Sequence, residues 1–150
     1  MPYTEQRIYP PGGTVVSAIF TAVYVADLAS SQHFYTELLG LIPVFESDWI
    51  VQVASPSDES ITLTLQPRNH ELVPAGYQTA PSGVSVAFVV PDCDQVYTKA
   101  LSMGLKIVQE PKNEIYGQRR FLTVDPDGLL VDVSSPCEPS DDFKARYMSS

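Results

Sequence analysis
The chain has 150 residues and a formal net charge of −9, from 9 Lys and Arg against 18 Asp and Glu. With 44% hydrophobic and 18% charged residues it has the balance of one folded domain and lacks the charge-rich, aromatic-poor composition of disordered chains. So acidic a surface repels phosphate backbones, which leaves a small molecule rather than nucleic acid as the expected partner. No run approaches the ~20 apolar residues that cross a bilayer, so no membrane partner is expected and the chain reads as cytoplasmic.

Residues 1–13 hold Glu5, Arg7 and a Pro10-Pro11-Gly12-Gly13 break in place of the basic start and apolar run of a secretory leader. Val15 to Val25 is rich in β-branched and aromatic residues and is predicted to be the first strand, ending at Asp27 as a helix cap. Leu28 to Leu39 carries Phe34, Tyr35, Leu38 and Leu39 at helical spacing, and Gly40 stops it. Short strands are predicted at Leu41 to Phe45, Trp49 to Ala54 and Ile61 to Gln66.

The second half repeats this order. A strand is predicted at Val84 to Val90, a helix at Asp92 to Met103 stopped by Gly104, then strands at Leu105 to Gln109, Arg119 to Val124 and Leu129 to Ser134. Val25-Ala26-Asp27 and Val90-Pro91-Asp92 set the repeat at about 65 residues. The expected architecture is α+β: two βαβββ modules forming a cupped mixed sheet around a cavity. One domain over 1–150 then divides into a repeat at 15–66, a linker at 67–82, a second repeat at 83–136 and a polar, acidic tail at 137–150. Cys93 and Cys137 have no CxxC spacing and read as free thiols.

The motif Asp27-Leu28-x-x-Ser31-x-x-Phe34-Tyr35-x-x-x-Leu39-Gly40, with Asp125-Pro126-Asp127-Gly128 before the last strand, resembles the glyoxalase, bleomycin-resistance and extradiol-dioxygenase (vicinal-oxygen-chelate) superfamily over residues 15 to 136. Metal-dependent members imply ligands early in each module's first strand and in each final strand. The resemblance puts the early positions at Phe20 and Ser85, neither a usual ligand for a catalytic divalent ion. Asp132 stands where the family commonly has glutamate, and the related first-half strand offers Thr62, Thr64 and Gln66. A catalytic metal needs about three or four imidazole or carboxylate ligands, so no metal or other cofactor is expected. His33, His70 and Glu71 show no ligand spacing.

Strand alternation then selects a cavity wall. The resemblance turns Phe20 inward, and with it Ala22 and Tyr24. The same parity adds Ser85, Ala87 and Val89, then Thr62, Thr64 and Gln66, and finally Leu130, Asp132 and Ser134. Trp49 is a further candidate, and Tyr116-Gly117-Gln118-Arg119-Arg120-Phe121 is the most distinctive segment outside the family motif. Arg119 is taken as the arginine of the wall, with Arg120 as the open alternative, because either guanidinium can pair with Asp132 or clamp a carboxylate. A partly aromatic, partly hydroxylated wall with one carboxylate suits a flat or amphipathic aromatic ligand held by stacking and a few hydrogen bonds, and the acidic surface favours a cationic one. The resemblance implies a metal-free binding protein of bleomycin-resistance type, working as a homodimer with the cavity shared between subunits. The alternative is an enzyme (lyase, isomerase or dioxygenase) with a divalent metal ion on displaced ligands or Asp132 as general base.

Overall fold
The computed structural model describes residues 12–149, so the reading of residues 1–11 lies outside the described residues. Its elements run β1 (Thr21–Val25), α1 (Leu28–Leu39), β2 (Ile42–Glu46), β3 (Val51–Ser55), β4 (Asp58–Pro67), β5 (Ser85–Val89), α2 (Cys93–Ser102), β6 (Ile107–Asn113), β7 (Gln118–Val124) and β8 (Leu130–Pro136). Short helical segments follow in the linker at Ala75–Tyr77 and in the tail at Asp141–Phe143 and Lys144–Met148. Among the described residues no helix is long and apolar enough to cross a membrane.

Local chemistry sets the helix ends. The Asp27 carboxylate accepts from the backbone N–H groups of Ala29 and Ser30, satisfying donors that α1 cannot pair internally, and Gly40 ends the helix at φ 66°. Asp92 caps α2 by accepting from the Gln95 N–H. Phe34, Tyr35 and Leu38 bury one face of α1 against Val51, Val53, Leu63 and Leu65 in a core that continues through Ala100, Phe121, Val131 and Val133. Each such side chain contributes about 1.5–3 kcal/mol by leaving water.

Two four-stranded sheets result, ordered β1-β4-β3-β2 and β5-β8-β7-β6. In each, the first strand runs parallel to the last and the remaining pairs are antiparallel. This is the repeated βαβββ order, but no strand pair joins the two sheets among the described residues, so the expected cup is not closed within one chain. The first strand is also shorter than its composition suggested. Val15 to Phe20 forms no ladder, because β4 pairs with β1 only from Leu63 onward, and apolar β-formers without a partner remain exposed: Val16 is 76% and Ile19 94% exposed.

The outer edges, β2 and β6, contain Pro43 and Pro111 and carry register shifts. Proline removes a ladder donor and a bulge bends the strand, two devices that stop an edge from pairing with another chain. The near edges, β1 and β5, have neither.

The modules are pinned by the turn before β8. Asp125 accepts from the Tyr35 hydroxyl at 2.8 Å and from the N–H groups of Asp127 and Leu129. Asp127 reaches the other module, accepting from the Ala26 N–H and the Ser31 hydroxyl and forming an ion pair with Arg68. Burial pushes the Asp125 carboxyl above its ordinary range, against the hydrogen bonds that lower it.

Candidate functional site
Helices cover one face of each sheet, and the other face carries the residues selected by alternation. On the first sheet the register sets Ala22 beside Thr64, which neighbours Gln52 and then Phe45. Tyr24 and Gln66 form the adjacent row. Thr64 is buried, Thr62, Gln66 and Tyr24 are half-buried, and Phe20, just before β1, is exposed. On the second sheet Ala87, Asp132, Leu122 and Gln109 form one row, and Val89, Ser134, Arg120 and Lys112 the next. Ser85 neighbours Leu130 at the end of this face.

Arg119 requires a correction. It lies on the helix side, where its Nε and Nη2 donate to the Asp94 carboxylate at 2.8 and 3.0 Å and its Nη1 to Asn113. Arg120 takes the open face instead. Its register partner is Ser134, in the alternation that also contains Asp132, whereas Arg119 shares parity with Phe121, which is fully buried in the core.

Arg120 binds two carboxylates. Its Nε donates to Glu114 at 3.2 Å and its Nη1 to Asp132 Oδ2 at 3.0 Å, while Gln109 also donates to Glu114. Hydrogen bonds from Arg120 and then Gln109 hold Glu114 below the ordinary carboxylate range, despite the opposing cost of desolvation. The other carboxylate oxygen, Asp132 Oδ1, is buried without a hydrogen-bond partner. Glu114 and Gln109 were missed by the sequence reading, since β6 and its following turn were not assigned to the wall.

A cleft of about 520 Å³ lies between the β1 and β5 edges. Tyr24 and Ser85 line it together with linker residues Tyr77, Thr79 and Pro81, which the sequence reading had treated only as a connection. Ala22 lines it as well, but Thr62, Thr64 and Gln66 on the first sheet, Phe20 just before β1 and Asp132 on the second sheet do not, and Leu130 lies in a separate surface hollow beside Gly83 and Gly128. Trp49 precedes β3 in a turn and stacks on His70, with ring centroids 4.7 Å apart.

These groups do not fit a catalytic divalent ion. Among the described residues no three His, Cys, Asp or Glu side chains come together, and Arg120 already engages the Asp132 carboxylate. Phe20 and Ser85 add no charged or imidazole donor.

Residues 18–133 match the family model described as the Glyoxalase/Bleomycin resistance protein/Dioxygenase superfamily. A search of curated protein sequences gives no match. Among solved structures, an integron cassette protein from V. cholerae aligns with TM-score 0.66 and 18% identity, over 82% of this chain and 97% of that one. A virulence protein from Salmonella typhimurium gives 0.66 and 22%, over 82% and 99% of the two chains. A superfamily member from Sphaerobacter thermophilus gives 0.66 and 21%, over 80% and 98%. At these identities the likeness to solved structures shows a shared fold.

Proposed function
Since the chain belongs to the Glyoxalase/Bleomycin resistance protein/Dioxygenase superfamily, we propose that it is a small-molecule binding protein that works without a metal, as a homodimer whose ligand site each copy helps to wall. The observation that carries this reading is the pair of open sheet faces. Each displays polar groups among apolar ones, and the single chain leaves them unjoined.

A second copy supplies what the fold lacks. The β1 and β5 edges are unprotected, and the apolar segment before β1 and Val84 and Val89 around β5 are exposed. An edge presenting free backbone groups beside apolar side chains is stabilised by pairing. Two-fold pairing of β1 from one copy with β5 from the other would join an open face of each kind into one cup. Thr62, Thr64 and Gln66 would then face Arg120 and Asp132 across it, with Phe20 and Tyr24 available for stacking.

The test is light-scattering mass across a concentration series, followed by a thermal-shift screen of flat aromatic compounds and divalent metals. A dimer at micromolar concentration, with stabilisation by aromatic compounds and none by metals, is the expected result. A monomer throughout, or tight stoichiometric metal, would overturn the reading.

A further inference from the structure
The geometry points to a neutral head group with a hydrogen-bond donor beside an acceptor, of the carboxamide type, as the chemistry recognised on the second sheet's open face by Asp132 and Arg120. This inference rests on the binding reading above and names the ligand class for that site.

The first observation is an acceptor without a donor. Asp132 uses Oδ2 for Arg120, while Oδ1 is buried and unpartnered. Folded proteins seldom leave a buried polar atom in this state, and a carboxylate oxygen is the more costly kind. The second is a donor of the same pair that is not buried and so is open to a ligand. Arg120 commits Nε to Glu114 and Nη1 to Asp132, and among the described residues Nη2 makes no hydrogen bond. An acceptor and a donor therefore stand together on one ion pair. Ala87, the register neighbour of Asp132 on β5, is exposed and small, so β5 places no long side chain next to the carboxylate in this row.

Charge selects against ionic ligands. Arg120 and Lys112 on this face are matched by Glu114 and Asp132, with Lys112 3.8 Å from Glu114. The chain's net charge of −9 is thus not concentrated at this site. A carboxylate ligand would meet Asp132 and compete for a guanidinium already holding two anions. A cationic ligand would meet Arg120. A carboxamide carries neither penalty: its N–H donates to Oδ1 and its C=O accepts from Nη2. The cationic ligand favoured by overall composition is therefore disfavoured at this pair.

The experiment is protein-observed NMR titration of the full chain with three compounds that share one ring: benzamide, benzoate and benzamidine. Benzamide is expected to bind about tenfold or more tightly than the other two, the worth of one hydrogen bond to a charged group. It should shift the Arg120 Nε–H signal and the amide signals of Ala87 and Leu122. Asp132→Asn should narrow the preference of benzamide over benzoate to within about twofold, because the repelling charge is gone and Arg120 is freed for an anion, while benzamidine stays weakest; signal dispersion reports that the variant is folded. If that variant does not fold, the wild-type order and the Arg120 Nε–H shift alone decide. Benzoate or benzamidine binding best, or all three binding equally, would overturn this inference and leave the binding reading standing. Failure of all three to bind would count against both.

Discussion

Tyr35 and Asp125 show how a single contact joins distant parts of the chain. The hydroxyl and carboxylate are 90 positions apart in sequence, and both residues are buried. Tyr35→Phe removes the donor and leaves a buried carboxylate short of a partner, so unfolding by denaturant should show a loss of about 1–3 kcal/mol. The raised pKa of Asp125 gives a sign for the pH dependence. The folded state holds this proton more tightly than the unfolded state, so the associated stability is complete below the ordinary Asp range and is lost as pH rises through the folded value. Unfolding curves collected from acid to neutral pH should contain that falling component in wild type and lack it in Asp125→Asn. Gly117 is a second residue with one job. At φ 101° it lies in the left-handed region, and an added Cβ would stand 2.9 Å from Pro139 Cγ. Gly117→Ala is expected to cost about 1–3 kcal/mol and to speed proteolysis of the tail, which is tied to this turn by the Cys137 N–H to Gly117 carbonyl bond.

Among the elements, α1 was the most legible. Asp27, the apolar spacing through Leu38 and Gly40 each act where the sequence placed them, because caps and periodicity are local. The strands were less so. Val15 to Phe20 has strand composition without a strand, since a ladder needs a partner that composition does not supply. The arginines of β7 divided by parity, and the signal was available: Phe121 had to be core, so Arg119 had to share its side and Arg120 the other. What holds the modules together was not legible. Asp127 enters the sequence reading only as part of the motif before the last strand, yet its side chain is almost fully buried against Ala26, Ser31 and Arg68. Asp127→Ala would strand the Arg68 guanidinium, whose Nε already lacks a partner. Its cost should be about 3 kcal/mol, read from the denaturation midpoint.

At the scale of the whole molecule, the sheets end in two kinds of edge, and the difference carries a prediction about assembly. Val89 is 66% exposed on the β5 edge, so Val89→Lys should change the stability of the single chain by less than about 0.5 kcal/mol. If β5 pairs with a second copy, the same change should move the light-scattering mass toward that of a monomer and abolish ligand stabilisation together with it. A variant that stays dimeric would place the contact elsewhere.

By itself the sequence determined the repeat, the helix caps and the alternation that separates the helix-covered side of each strand from its open side, all of which depend on neighbours in the chain or on a period of two or 3.6. Only the tertiary structure decided which arginine faces Asp132, that Glu114 and Gln109 join it, that Tyr24 and Ser85 share a cleft with the linker, and that the sheets stay separate in one chain. Those facts depend on strand register and on contacts between modules, which bring together residues whose separation along the chain carries no periodic mark.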